Sequence, residues 1–298
     1  MKKTKLNIFV KLFVLLVVCI TTLCACSLED LSELFSSDVS MVDITNTSNI
    51  VVHYLDIGQG DSIFVELPNG ECMLIDAGVA NKGEFIDSYI TDKGYNKIDY
   101  LVATHPHADH IGSMAYVISH MDIGQIYMPK VAATTKTYEK LLLAIQEKDL
   151  KIKSAKAGMS IIDTGDFSAS IIAPVEIDES ELNNCSIIIK IAYGKDSYLF
   201  IGDAEKEELN TVSDDMSADV LKVGHHGSRT STSNDFLEEV NPIYAVISCG
   251  VDNDYGHPHN ETIELLNQFN VEYYRTDLQG TITITSDGSQ NYSITTEK

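Results

Sequence analysis

The chain is predicted to be an α/β protein with two β-sheets flanked by helices, and three observations lead there. From residue 50 to the C-terminus, short apolar runs bounded by turn residues alternate with longer segments of helical period. Pro68-Asn69-Gly70 joins two of these runs as a tight turn. A run of β-type residues, 98–103, passes directly into a cluster of histidines and then into helical spacing. With 298 residues, 44% of them hydrophobic, there is material for one large domain after an N-terminal segment is set aside.

In chain order, residues 50–55, 62–67 and 71–75 read as a three-stranded meander. A helix over 84–93 leads to the strand 98–103, and residues 109–120 then carry helical spacing. Residues 138–147 read as a helix, and 168–173, 186–192 and 197–201 as strands, with Asp203 at a strand end. The last third continues the alternation, with strands near Val220, Ala245 and Thr281 and helices near Phe236 and Leu265. Such an order packs as two sheets between helices.

Residues 1–25 are set aside because Lys2, Lys3, Lys5 and Lys11 precede a short apolar run, 12–23, well below the ~20 residues of a membrane span. The segment reads as an export signal. Leu23-Cys24-Ala25-Cys26 resembles a bacterial lipoprotein signal, and Cys26, which follows the small Ala25, is the better candidate for the lipidated cysteine. An ordinary signal peptide with a free cysteine is the alternative. Either way the expected location is extracytoplasmic, with the chain held on a bacterial membrane through Cys26. Residues 26–49, rich in Ser, Asp, Thr and Asn, read as a flexible tether, and 50–298 as the domain. Cys72, Cys185 and Cys249 remain in the body beside apolar runs and read as buried thiols.

Net charge is −23, and becomes about −27 once the four lysines of the signal are lost. A nucleic-acid binder normally shows a basic stripe, yet the chain has only two arginines, Arg229 and Arg275. Any such binding must lean on metals and a local patch.

The chemistry concentrates in His105-Pro106-His107-Ala108-Asp109-His110, three imidazoles and a carboxylate within six positions where a strand becomes a helix. His105 and His107 can turn toward one cation, Asp109 and His110 toward a second. The pattern His-x-His-x-Asp-His resembles the signature of the metallo-β-lactamase superfamily, which implies an αββα four-layer sandwich with one or two metal ions at the sheet edge. Ile75-Asp76-Ala77-Gly78 resembles its first motif, with a structural Asp. Ile201-Gly202-Asp203-Ala204 resembles the fourth, whose Asp bridges the metals. Gly224-His225-His226-Gly227 resembles the fifth, whose His completes the second site; His225 is taken here, the choice against His226 remaining open.

A narrower likeness rests on Leu55-Asp56-Ile57-Gly58-Gln59-Gly60-Asp61, residues 223–228 and Tyr255-Gly256-His257-Pro258-His259. These resemble the soluble hydrolase domain of the competence protein ComEC; no membrane channel is matched, so DNA transport is not implied. Many superfamily members carry a further His between the cluster and the bridging Asp. Here no His lies between His120 and His225, and Asn183-Asn184-Cys185-Ser186 stands in that region. The first site is then expected to hold His105, His107 and Asp203, with asymmetric metal occupancy.

The resemblance implies two divalent metal ions, zinc by default for a His-rich site, with manganese also compatible with the carboxylates. Such a cation lowers the pKa of bound water from 15.7 toward ~7, giving a hydroxide that attacks a phosphorus or carbonyl centre. Asp109 is expected to hold that group in line, and His257 to protonate a leaving oxygen or hold a phosphate. His259, Ser228 and Arg229 are weaker candidates for substrate contact. Asp61 is expected to brace the site loop.

The function implied is a phosphodiesterase or nuclease acting on nucleic acid or on a phosphodiester-bearing envelope molecule. Lactamases usually lack the bridging carboxylate, which argues against that activity. A phosphocholine-type esterase and a non-catalytic metal-binding lipoprotein are the alternatives, and no protein partner is predicted.

Overall fold

A computed structural model of the chain describes residues 49–298; the expected signal peptide, Cys26 and the tether up to residue 48 lie outside the described residues. The domain opens with β1 (Ile50–Tyr54), β2 (Ile63–Glu66) and β3 (Cys72–Ile75), the expected antiparallel meander. Its second turn closes where Gly70, at φ +83°, donates its N–H to Leu67 O. Then come α1 (Gly83–Asp92), β4 (Lys97–Val102), α2 (Ala108–Ile111), α3 (Met114–His120), β5 (Asp122–Pro129), α4 (Lys136–Glu147) and β6 (Ile152–Ala155). Strands β3 to β6 run parallel.

The second half repeats that plan. An antiparallel run, β7 (Met159–Asp163), β8 (Phe167–Ala173), β9 (Ile188–Tyr193) and β10 (Asp196–Phe200), precedes α5 (Lys206–Leu209) and β11 (Val220–Lys222). After these come α6 (Asn234–Val240), β12 (Tyr244–Ile247), α7 (Asn260–Gln268), β13 (Glu272–Arg275) and α8 (Thr276–Gln279). Strands β10 to β13 are parallel. The last strands, β14 (Ile282–Ser286) and β15 (Tyr292–Thr296), return to the first sheet. The sheets have the orders β15-β14-β1-β2-β3-β4-β5-β6 and β13-β12-β11-β10-β9-β8-β7.

Strand alternation explains the layering. Val52, Tyr54, Val65, Met73 and Ile75 of one sheet meet Ile189, Ile191, Tyr198 and Phe200 of the other in a central core. Their neighbours Phe64, Cys72 and Leu74 face outward onto α1, α3 and α4, while Ile188, Leu199 and Leu221 face α6 and α7. Both faces of each sheet are therefore apolar, and the result is a helix–sheet–sheet–helix sandwich.

Two differences from the sequence reading have local causes. The expected helix over 109–120 breaks into α2 and α3 at Gly112-Ser113, because a Cβ at Gly112 would lie 2.5 Å from Gly78 O, and Ser113 Oγ bonds Val79 O. The loop after β3 is pressed against the helix there. Strands β5, β6, β7, β13 and β15 are not among those the sequence predicts; β5 contains Gly124 and ends in Pro129, and β6 and β15 are edge strands with mostly exposed side chains.

Glu208 in α5 gives the fold a measurable pH dependence. The residue is 4% exposed, neither carboxylate oxygen has a hydrogen-bond partner, and burial pushes it up to about 9. Between its unfolded value of 4.5 and about 9, the folded chain keeps a proton that the unfolded chain has released, so stability falls as pH rises, by up to about 1.4 kcal/mol per unit. Glu208→Gln is expected to raise the melting temperature at pH 8 by several degrees and to leave it nearly unchanged at pH 4.5. Equal shifts at both values would contradict the assignment.

Candidate metal centre

The site is built where parallel strands end. Asp76 follows β3, His105 to His110 follow β4, Asp203 follows β10, His225 and His226 follow β11, and Ser248 follows β12. Crevices outside the carboxyl ends of strands are where open α/β sheets place ligands. Backbone bonds tie the loops together: Ile187 N to Thr104 O at 2.9 Å joins the two sheets, and His225 N to Gly202 O at 3.0 Å joins the ends of β10 and β11.

Asp203 is the hub. Its Oδ1 lies 3.2 Å from His110 Nε2, and its Oδ2 lies 3.8, 3.7 and 3.6 Å from Nε2 of His105, His225 and His226. His107 joins through His105, Nδ1 to Nε2 at 3.0 Å, and Asp109 Oδ2 stands 3.3 Å from His226 Nε2. Of the six residues expected to bind metal, His105, His110 and His225 thus lie beside Asp203, and His107 and Asp109 adjoin that group through His105 and His226. The turn after β11 lets consecutive histidines both reach it, because His225 and His226 each adopt the left-handed conformation, at φ +48° and +55°.

A surrounding set of side chains aims these ligands. Asp76 accepts from His110 Nδ1 at 2.7 Å and from the Thr104 hydroxyl at 2.6 Å, so His110 Nε2 faces Asp203. Glu205 stands 3.1 Å from His225 Nδ1 and accepts from Asn183 Nδ2, and Ser248 O lies 3.1 Å from His226 Nδ1. Ser186 Oγ lies 3.5 Å from His105 Nδ1 and accepts from Asp203 N. The mid-chain segment that lacks a histidine therefore contributes as a scaffold for ligands.

Whether these residues suit a cation is tested by their unmet atoms. Asp61, His110, Asp203 and His226, all buried, each bring one ligand atom to within 4.8 Å of the others. The same four each carry a buried atom with no hydrogen-bond partner: Asp61 Oδ1, His110 Nε2, Asp203 Oδ1 and His226 Nε2. Leaving such groups unmet costs about 1–3 kcal/mol apiece, and two imidazole nitrogens with two carboxylate oxygens are a donor set for a divalent ion. The residues fit a divalent metal site.

The electrostatics agree. Burial opposes charge on His110, but Asp203 and Asp76 hold it well above the usual imidazole range. Burial likewise opposes His226, which Asp203 and Asp61 push up to about 9. Burial would raise Asp203, yet His110 and His226 hold it well below the usual carboxylate range. Protonated imidazoles thus balance the buried carboxylates, a balance a bound cation takes over.

Some placements differ from the sequence reading. The partner facing Asp109 is His226, whereas His225 sits 23% exposed against Glu205. Asp61, expected only to brace a loop, belongs to the four-residue group and is paired with the fully buried Lys222, Nζ to Oδ2 at 2.8 Å. A lone lysine between Leu221 and Val223 was the signal for that partner. His257, expected to act on a leaving oxygen or a phosphate, is 8% exposed beside His225 and His226, at ring distances of 5.4 and 6.2 Å. Burial and those two rings lower it to about 4, so at neutral pH it is an uncharged imidazole whose Nδ1 has no partner. His259 Nδ1 accepts from Arg229 N, and the Arg229 side chain faces Glu261 on the exposed rim.

Comparison with known proteins places this geometry. The curated relatives include ComE operon protein 3 of Bacillus subtilis (strain 168), 34% identical over 251 residues, covering 78% of this chain and 32% of that protein. Competence protein ComA of Neisseria gonorrhoeae is 28% identical, covering 76% and 31%. The chain spans about a third of the length of these relatives. Among solved structures, the metallo-beta-lactamase fold protein YhfI from Bacillus subtilis superposes with TM-score 0.52 at 13% identity, covering 80% of this chain and 100% of that one. CmlA, a diiron beta-hydroxylase from Streptomyces venezuelae, superposes with TM-score 0.53 at 16% identity, covering 80% and 54%. The model of the metallo-beta-lactamase superfamily matches residues 55–251, from the end of β1 through every metal-facing residue described above. By fold, by motif order and by this match, the chain belongs to the metallo-β-lactamase superfamily of hydrolases.

Proposed function

We propose that the chain is a metal-dependent phosphodiesterase acting on nucleic acid. One observation carries this reading: a single carboxylate, Asp203, is approached by four histidines. That is the arrangement a bridging ligand between two cations requires, and paired cations suit the dispersed charge of a phosphoryl transition state. In this reading His105, His107, Asp203 and His225 hold one ion, so that His225 supplies the histidine missing from mid-chain. Asp109, His110, Asp203 and His226 would hold the other, with the Asp61 carboxylate beside them. Zinc is the first choice and manganese the second.

The bound ions supply Lewis acidity and a water acidic enough to attack phosphorus near neutral pH. The protein's share is orientation and charge. Asp109, which burial would neutralise but which His226 and His110 keep ionised, holds its side of the site anionic. His257, which lines the cleft, donates or accepts a hydrogen bond at a phosphoryl or leaving oxygen as a neutral ring. The likeness to ComE operon protein 3 and competence protein ComA is the reason nucleic acid is placed ahead of other phosphodiesters.

A second reading, a phosphocholine-type esterase on envelope molecules, is favoured by Tyr255. It lines the cleft, is 65% exposed and stacks on His257 at 5.7 Å, an aromatic face open to a quaternary ammonium in a chain of net charge −23. The deciding experiment compares zinc- and manganese-loaded protein on bis(p-nitrophenyl) phosphate, single-stranded DNA, duplex DNA and a phosphocholine ester. Cleavage of DNA without the choline ester supports the first reading, and the reverse supports the second. Hydrolysis of none of the four, with His107→Ala indistinguishable, defeats both and leaves a metal-binding lipoprotein.

The place of action is proposed to be the outer face of a bacterial membrane, through lipid on Cys26. Among the described residues no helix is long and apolar enough to cross a membrane. Cys26→Ala is expected to move the protein from the membrane fraction to the soluble one; persistence in the membrane fraction would rule out the anchor.

A further inference from the structure

The segment Gly58-Gln59-Gly60, which the metal site does not use, places Gln59 in the wall of the cleft. Gln59 lines it beside Asp109, His226 and His257. Its Oε1 accepts from Gly250 N at 3.0 Å, and its Nε2 is buried with no partner. Because an N–H can bond only to the amide oxygen, Gly250 fixes which way the amide faces, and the NH2 is the end left free.

The backbone around Gln59 is closely held by its neighbours. Gly58 and Gly60 lie at φ +82° and +141°; a Cβ on Gly60 would stand 2.2 Å from Asp109 O, and one on Gly250 would stand 2.7 Å from Gln59 N. Asp61 N also donates to Asp109 O, at 3.2 Å. Gln59 is thus clamped between the metal-binding loop after β4 and the loop after β12. A clamped, buried, unpaired donor costs free energy in the resting protein and signals a partner that arrives with a ligand.

The chemistry of that partner follows from its surroundings. The cleft is lined mainly by imidazoles and carboxylates, and Arg229 faces Glu261 outside it. A phosphodiester brings non-bridging oxygens that accept hydrogen bonds, and a preorganised neutral N–H donor meets one of them without placing a permanent charge beside the metals. We propose that Gln59 is a catalytic residue whose Nε2 donates to a non-bridging phosphoryl oxygen of the substrate. This rests on the phosphodiesterase reading above.

The test uses Gln59→Met, which removes the donor and the Gly250 bond, and Gln59→Glu, which keeps an acceptor for Gly250 and removes the donor. Both are assayed on metal-loaded protein for bis(p-nitrophenyl) phosphate hydrolysis, inorganic phosphate affinity by calorimetry, metal content and melting temperature. The expected result is a fall in kcat/KM on the order of 10²-fold in both variants and at least tenfold weaker phosphate binding, with metal content unchanged. Wild-type rates and wild-type phosphate affinity in Gln59→Glu would overturn the proposal while leaving the hydrolase reading intact. If the wild type cleaves no phosphodiester, that reading fails, and phosphate affinity still decides whether Gln59 is the anion's donor.

Discussion

Asp203→Asn is expected to lower kcat/KM for bis(p-nitrophenyl) phosphate by on the order of 10³-fold or more and to cut the retained metal after dialysis to one equivalent or less. The size follows from the number of partners. Asp203 is 1% exposed and touches His105, His110, His225 and His226, so it contributes to both proposed cation positions at once. Asparagine keeps the shape and one acceptor but removes the charge that offsets two cations. By contrast His107, half-buried and joined chiefly to His105, serves one position, and His107→Ala is expected to cost 10–100-fold. Metal analysis beside steady-state kinetics separates these cases. If Asp203→Asn keeps two metals and activity within tenfold of wild type, Asp203 is not the bridge and the dinuclear reading falls.

What the sequence disclosed about this site has a physical pattern. The cluster His105 to His110, Asp76 and Asp203 were legible because each follows an apolar strand, and the carboxyl end of a strand is where an α/β sheet presents its ligand-binding side chains. The sandwich was legible because β1, β2, β4, β9 and β10 carry short, mostly apolar stretches of β-type residues, such as Ile50-Val51-Val52, Ile63-Phe64-Val65 and Tyr198-Leu199-Phe200, with turn residues between them. Less legible was anything that depends on a side chain arriving from a distant part of the chain. Asp61 and Lys222 are 161 positions apart and meet only once the two sheets are packed. Glu205 and Ser186 aim histidines through contacts that have no periodicity. The choice between His225 and His226 turned on two left-handed residues in succession, which neither histidine announces. Gln59 carried no reading of its own in the sequence because its flanking glycines account for the tight backbone course by themselves; its proposed role lies in the amide they position.

Lys222→Met is expected to destabilise the chelator-treated protein by about 3–5 kcal/mol at pH 7, the cost of leaving a buried charge without its partner. Lys222 ends β11 fully buried, 2.8 Å from Asp61 Oδ2 and 2.9 Å from Val223 O. Burial would raise the Asp61 carboxyl, but Lys222 and then His226 bring it down to about 2. A depressed carboxyl lends stability that is present above its unfolded value of 3.8 and is lost as pH falls toward 2. Without Lys222 burial prevails, Asp61 takes up a proton at higher pH, and the deficit is expected to be largest at neutral pH and to shrink toward pH 4. The double variant Asp61→Asn/Lys222→Met, which leaves no charge to strand, is expected to recover most of the loss at pH 7. Urea unfolding of the three proteins at pH 7 and pH 4 reads these differences directly. A Lys222→Met deficit that is the same at both pH values, and that Asp61→Asn does not relieve, would mean that the lysine acts through packing of its alkyl chain and not through Asp61.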